Sequence, residues 1–316
     1  MEPVPEIPFA GRAPFPVQPG AGRKAGEVKR LNIVGCGRVG RTFGRLWARA
    51  HVFAIQDVLA TSPESAARGV AFIGAGRPAA ALSEMRPAEV WMIATRDDAI
   101  VPVARALAAG EALAPGAIVF HLSGACPSSD LDPVRARGAL VASVHPIKTF
   151  SDPETAARTF AGTCCGAEGD AEALAVLRPA FERIGARVLE IAPALKALYH
   201  AGGVFSCNYL VALLEQALRA HERAGLPREA ALAAIEPMVR ETVDAVFARG
   251  PARALTGPIA RGDVETVRRQ LAAVEAWDAA AGALYRNLGL VAVDLAQAAG
   301  LDAERAEALR RALRRG

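Results

Sequence analysis

Leu31-Asn32-Ile33-Val34-Gly35-Cys36-Gly37-Arg38-Val39-Gly40 is a short apolar run that ends in three glycines spaced Gly-x-Gly-x-x-Gly, and Arg41 to Ala50 follows at helical periodicity. The run predicts a buried strand and the segment after it a helix, so the glycines fall in a tight strand-to-helix turn. Gly35 makes the turn, Gly37 lets the backbone approach a pyrophosphate, and Gly40 lets helix and strand pack closely. Free N–H groups and the positive dipole end of the helix then face the phosphates. The expected ligand is a dinucleotide, held by Gly35, Cys36, Gly37, Arg38, Val39 and Gly40.

Outward from this turn, Phe53 to Ala60 is a second strand, and Ser62-Pro63 caps a helix through Ala71. Glu89 to Thr95 is a buried strand, and Asp97 or Asp98 caps a helix to Ala109. Ala117 to Leu122 and Leu140 to His145 are further strands. Cys164 to Gly166, a helix from Asp170, and Arg187 to Ile191 add one more strand-helix-strand unit. This alternation predicts an α/β fold, a doubly wound and mostly parallel sheet covered on both faces. From Ala192 the chain is helical, through Leu195 to Ala224, Arg228 to Arg249, Val264 to Trp277 and on to Arg315, broken at Gly225-Leu226-Pro227 and Gly250-Pro251. The expected organisation is a disordered, Pro- and Gly-rich extension over 1–28, a Rossmann-like dinucleotide domain over 29–163 with the sheet extending to 191 as the alternative, and a mainly helical substrate and dimerisation domain over 164–316, the fold class being α/β followed by an all-α C-terminal region.

Composition narrows the function. A length of 316 residues suits two domains. Arg, Asp, Glu and Gly break the apolar stretches short of a membrane span, and the N-terminus lacks the order of a secretory signal, so no membrane partner is expected. The five cysteines form no CxxC pair and no metal-ligand spacing, which fits a reduced cytoplasm and no metal. Net charge is +4, its excess concentrated at Arg310, Arg311, Arg314 and Arg315 without interleaved aromatics, so no nucleic acid is expected.

Of the 37 basic residues only four are lysine: Lys24, Lys29, Lys148 and Lys196. Arginine keeps its proton, whereas a desolvated lysine can give one up, so Lys148 and Lys196 invite a chemical role beside the plain reading that they snorkel. Lys196 and His200 are four residues apart on one helix face. Asn208, twelve residues after Lys196, comes within reach of that face if the helix is unbroken. A partly desolvated Lys196 would be a proton donor; a lysine at the solvated edge of the helix is the alternative.

Ser123 and His145 lie at the carboxyl ends of two predicted strands, where ligands of open parallel sheets sit. Each could orient a substrate, or serve as a turn residue and a satisfied polar group. In the loop Leu255 to Asp263, Asp263 caps the next helix, leaving Thr256 and Arg261, the latter suited to a substrate carboxylate.

The cofactor form turns on the end of the second strand. An NAD site places a carboxylate there, and here the chain has Thr61-Ser62, with Asp57 available if the strand stops early. Small hydroxyl residues with Arg38 and Arg68 nearby suit a phosphorylated ribose, so NADP is preferred and NAD stays open. Thr61, Ser62, Ala94 and Thr95 complete the expected cofactor contacts.

Together the glycine turn, His121 to Ala125, Ser143 to Lys148, Lys196-x-x-Tyr199-His200-Ala201, Asn208-Tyr209-Leu210 and Thr256 to Asp263 resemble bacterial Rossmann-like proteins with a C-terminal helical domain of unknown function. That family is similar to ketopantoate reductase, pyrroline-carboxylate reductase and hydroxyisobutyrate dehydrogenase. The resemblance implies an N-terminal NAD(P) domain and a helical domain that often dimerises, hence a homodimer. It also implies an acid/base lysine at Lys196, with His200 where hydroxy-acid members carry asparagine; relatives carry arginine where Thr61 stands.

The expected activity is NADP-dependent reduction of a small carbonyl substrate, a 2-keto acid such as ketopantoate. Lys196, His200, Asn208 and Ser123 would act in catalysis, and His145, Lys148, Thr256 and Arg261 would bind the substrate. An imine reductase of pyrroline-carboxylate type and a non-catalytic NADP-binding sensor or scaffold are the alternatives. A deazaflavin leaves no motif by which to judge it.

Overall fold

A computed structural model describes residues 28–314, and the expected N-terminal extension falls almost wholly outside them. The chain forms two compact units, one built by residues up to Tyr209 and one from Leu210 onward.

The first unit is an eight-stranded sheet of order β3-β2-β1-β4-β5-β6-β7-β8. Its elements are β1 (Arg30–Val34), α1 (Arg38–Arg49), β2 (Ala54–Leu59), α2 (Pro63–Ile73), β3 (Arg77–Ala79), β4 (Val90–Ile93), α3 (Asp97–Ala109), β5 (Ile118–His121), the short α4 (Asp132–Arg135), β6 (Leu140–Pro146), α5 (Pro153–Arg158), β7 (Cys164–Gly169), α6 (Ala171–Glu182), β8 (Arg187–Glu190) and α7 (Lys196–Gly203). All neighbours are parallel except β6 and β7, which are antiparallel. The sheet therefore runs on through β8, the extended alternative, and does not stop at residue 163.

Strands β4 and β5 are buried along their whole length, as strands covered on both faces must be, and their apolar runs carry no polar alternation. Between sheet and helices lies an aromatic core in which Phe43 and Trp47 of α1 meet Phe120 of β5, Phe160 and Phe181. Burying each such side chain is worth roughly 1.5–3 kcal/mol. The Trp47 indole donates to the Ala180 carbonyl at 3.0 Å, so its one polar atom is not left unpaired.

Strand β3 was not expected. It sits at the sheet edge, where Pro78 costs no ladder bond, and buried Asp57 anchors it by accepting from Arg77 Nε at 3.0 Å and from Arg86 Nη2 at 2.8 Å. Ser62 caps α2 as expected, accepting from the Ser65 amide at 3.2 Å. Neither Asp97 nor Asp98 caps α3: Arg96 takes that position without a side-chain bond, and the two carboxylates lie in the first turn, favourably placed for the helix dipole.

The second unit is helical: α8 (Tyr209–Arg223, most of it in this unit), α9 (Arg228–Arg249), α10 (Pro251–Ala254), α11 (Val264–Trp277), α12 (Ala279–Ala298) and α13 (Ala303–Leu313). Its core joins Val267, Val293, Ala306, Leu309 and Leu313. Asp278 and Asp302 cap α12 and α13 and divide what the apolar periodicity presents as one long helical stretch.

The expectation that every apolar stretch is broken short of the length of a membrane span needs correction. The helical run Pro193–Arg223 has 31 residues and holds an 18-residue window of mean hydropathy 1.3, long and apolar enough to cross a membrane by length and composition alone. Its first charged residue, Lys196, is spent in an ion pair against the sheet.

Candidate functional site

The glycine turn has the geometry its spacing predicts. Gly35 adopts φ +98°, and a Cβ there would fall 2.6 Å from the Ala94 carbonyl carbon and 2.8 Å from the Thr95 amide nitrogen. At Gly40 a Cβ would lie 2.1 Å from the Gly35 carbonyl oxygen. Gly37 differs, because nothing lies within 4 Å of where its Cβ would be. The first and third glycines are thus demanded by the fold, while the second leaves an open cradle at the N-terminus of α1, whose cap position makes no side-chain bond. That cradle fits a pyrophosphate. The Cys36 side chain turns away from it and packs on Gly69 of α2, so only the backbone of Cys36 is available to a ligand.

Arg38 and Thr61 are exposed, and the Ser62 hydroxyl is engaged in capping. Asp57 cannot serve as the acidic ribose ligand. Burial alone would raise its pKa, but hydrogen bonds from Arg86 and Arg77 outweigh this and hold the carboxyl below its ordinary range.

At the carboxyl ends of the neighbouring strands, Ile93 of β4, His121 of β5 and Ser143 of β6 stand in register. His121 is fully buried, accepts from the Ser123 amide at Nδ1 (3.2 Å) and reaches the Pro127 carbonyl from Nε2 (3.2 Å). Burial lowers its pKa to about 4, so the ring is neutral and Nε2 is the donor. The Ser123 hydroxyl accepts from the amides of Ala125 (3.2 Å) and Cys126 (3.0 Å), which is the turn role.

Around this turn three side chains converge. The rings of His145 and His200 meet edge to face with centroids 5.6 Å apart, and His145 Nδ1 lies 3.2 Å from the Tyr199 hydroxyl. Burial, then the neighbouring His200 and Lys196, lower the His145 pKa to about 4. His200 Nδ1 is buried and makes no hydrogen bond. Two glycines admit these rings. A Cβ at Gly124 would lie 2.3 Å from His200 Nδ1, and one at Gly166 would lie 2.5 Å from the Tyr199 hydroxyl oxygen.

Behind the rings is a buried ion pair. Lys196 Nζ lies 3.3 Å from Glu168 Oε1, each side chain 1% exposed. The ammonium also donates to the Ser143 hydroxyl, while Glu168 accepts from the Ser128 amide (2.8 Å) and hydroxyl (2.6 Å). Burial lowers the Lys196 pKa, and Glu168 opposes the shift. Lys196 is thus desolvated as expected, but it faces the sheet and not a solvent-open space.

Other expected residues are placed elsewhere. Asn208 is exposed at the end of a π-turn, Val204–Asn208, which changes the helical repeat and breaks the extrapolation from Lys196. Lys148 Nζ binds the carbonyl (3.0 Å) and hydroxyl (2.9 Å) of Thr159 at the end of α5. Thr256 and Arg261 are exposed residues of the helical unit, where Thr256 lines a cavity of about 470 Å³. Sequence reasoning missed Glu168 and Ser128, and gave no role to Tyr199, which it quoted only as part of the family motif. A lone carboxylate within Cys164-Cys165-Gly166-Ala167-Glu168-Gly169 was the available signal for the first.

Residues 21–146 match the model of a Rossmann-like domain, and residues 163–292 match a domain of unknown function, DUF2520. The chain joins these two domains. The site draws on both, since Ser123, Gly124, Ser143 and His145 come from the Rossmann-like segment and Glu168, Lys196, Tyr199 and His200 from the DUF2520 segment. Among solved structures, protein TM1727 of Thermotoga maritima is 25% identical with TM-score 0.70, over 85% of this chain and 98% of its own. Protein BF3122 of Bacteroides fragilis is 21% identical with TM-score 0.62, over 86% and 98%. An imine reductase variant from Myxococcus stipitatus, solved with NAD+, is 16% identical with TM-score 0.60, over 90% and 99%. These likenesses establish the fold. No curated protein matches the sequence.

Proposed function

We propose that the protein is an NAD(P)-dependent oxidoreductase, with NADP the preferred form, that reduces a small carbonyl or imine substrate. The observation that carries this reading is the open cradle at Gly37, just past the carboxyl end of β1, with the His145 ring at the carboxyl end of parallel β6, where it meets His200. Arg38 and exposed Thr61, with Asp57 occupied by two arginines, support NADP. A 2-keto acid such as ketopantoate is the carbonyl class proposed. The imine alternative gains interest from the shared fold of the Myxococcus stipitatus imine reductase. A homodimer in the cytoplasm completes the proposal, in line with five cysteines that stand as free thiols.

When bound, the nicotinamide cofactor supplies the hydride. The backbone of Gly35 to Gly40 holds its pyrophosphate, and Ala94 and Thr95 flank the turn. His145, held neutral by its lowered pKa, orients the substrate and His200 supplies the proton, because the Lys196 ammonium is engaged by Glu168 and Ser143. Lys196, its charge compensated by Glu168, serves as an anchor behind the site and not as a free charge. Burial of that lysine also favours a second reading, a protein that binds NADP and performs no chemistry.

Fluorescence titration with NADPH, followed by a panel of 2-keto acids and cyclic imines, tests both. NADPH oxidation with one of these classes supports the enzyme. Tight NADPH binding without oxidation across the panel supports the binding protein, and no nucleotide binding at all sinks both readings.

A further inference from the structure

Glu168 is a fully buried carboxylate that no expected chemistry uses. Its strand β7 pairs antiparallel with β6 so that Glu168 stands opposite Ser143. From there it holds Lys196, the first residue of α7, and both the amide and hydroxyl of Ser128. Lys196 in turn donates to the Ser143 hydroxyl, which donates to the Ser123 carbonyl at 3.4 Å. Both ends of the turn Ser123 to Ser128 are therefore tied to one ion pair, and Gly124, on which the rings of His145 and His200 rest, lies between those ties.

We propose that Glu168 is a positioning residue: by holding Lys196 and Ser128 together it sets α7 and the 123–128 turn against each other, so that His200 and His145 meet over Gly124. This rests on the oxidoreductase reading for its effect on turnover, but not for its effect on geometry. Helix α7 places Tyr199 and His200 three and four residues after Lys196, so anchoring that lysine fixes the rotation at which both rings are presented. A buried ion pair adds little net stability over an apolar pair of equal volume, yet it demands directed contacts that an apolar pair does not. Stability and positioning are therefore separable by substitution.

The test compares the full-length protein with Glu168→Gln and with the double variant Glu168→Leu/Lys196→Met. Readouts are thermal unfolding, NMR of the imidazole nitrogens of the five histidines, NADPH affinity and, with whichever panel compound is turned over, KM and kcat. In Glu168→Gln the His145 and His200 signals move while those of His51 and His221 stay. NADPH affinity stays within about twofold and KM rises roughly tenfold or more. The double variant recovers thermal stability but neither the ring signals nor KM. Recovery of both signals and KM together with stability would overturn the proposal, as would a folded Glu168→Gln protein with parental ring signals. If Glu168→Gln does not fold, the double variant decides alone. Absence of turnover in the parent would remove the oxidoreductase reading and leave the ring signals to judge Glu168.

Discussion

Gly124 lies flush against His200: a methyl group built on its Cα would fall 2.3 Å from His200 Nδ1, and 2.8 Å from His145 Nε2. Gly124→Ala therefore forces the rings apart. Overpacking of this kind costs about 1–3 kcal/mol, which a domain of this size withstands. The expected variant is folded, binds NADPH as the parent does, and loses roughly a hundredfold in kcat/KM with the panel substrate. Parental turnover in Gly124→Ala would remove the histidine pair from the mechanism.

The glycine turn makes a sharper comparison. Gly37 has φ −75° and an open Cβ direction, so Gly37→Val leaves the unliganded fold intact. Gly35→Ala meets both a positive φ and the Ala94 carbonyl, and destabilises by several kcal/mol. Thermal unfolding should separate them, with Gly37→Val within about 2 °C of the parent yet at least tenfold weaker for NADPH. A Gly37→Val protein that binds NADPH normally would place the pyrophosphate elsewhere.

What the sequence disclosed was local. The three glycines could be read because turn chemistry and helix dipoles act over a few residues, and buried strands because their apolar runs are unbroken. Arg77-Pro78-Ala79 has no such pattern, and it becomes a strand through its pairing with β2, where Arg77 meets Asp57. In the site, the scarcity of lysine drew attention to Lys196, but its partner Glu168 lies 28 residues earlier and reaches it through the antiparallel β6–β7 register, which no spacing encodes. Asn208 was misplaced because a constant helical repeat was carried across a π-turn.

Cofactor preference follows from charge at the adenosine end. Arg38 is exposed at the start of α1, and Asp57, the acid of β2, is held by Arg77 and Arg86. One guanidinium on a phosphate is worth about 1.5–3 kcal/mol, so NADPH should bind at least roughly tenfold more tightly than NADH. Arg38→Ala should erase most of that ratio while leaving NADH affinity unchanged. Equal affinities in the parent would assign the ribose contact to other residues.

The helical unit predicts association. Val211 on α8 is 69% exposed, and on α9 Leu232, Met238 and Phe247 are 55%, 60% and 73% exposed, too much apolar surface for an isolated chain. A second copy burying about 1,200–2,000 Å² or more would cover it. Equilibrium sedimentation should give a dimer, and Met238→Glu with Phe247→Glu should shift it toward monomer without unfolding the sheet unit. A clean monomer at micromolar concentration for the parent would rule the homodimer out.

His121 sets a pH limit on stability. Burial depresses its pKa to about 4 in the folded protein, against an ordinary value of 6.5 for the unfolded chain. Above pH 6.5 the ring is neutral in both states and adds no pH dependence. Between 6.5 and about 4 the unfolded chain takes up a proton that the folded chain refuses, so stability falls with falling pH, by as much as roughly 3 kcal/mol in total. His145, shifted in the same direction, adds to the slope, less so because its ring is partly exposed. Urea unfolding followed from pH 7.5 to 4.5 should show this decline. His121→Gln, which can still donate to Pro127 and accept from Ser123, should be less stable at pH 7.5 but markedly flatter in its pH dependence. An unchanged slope in His121→Gln would mean that the proton is taken up elsewhere.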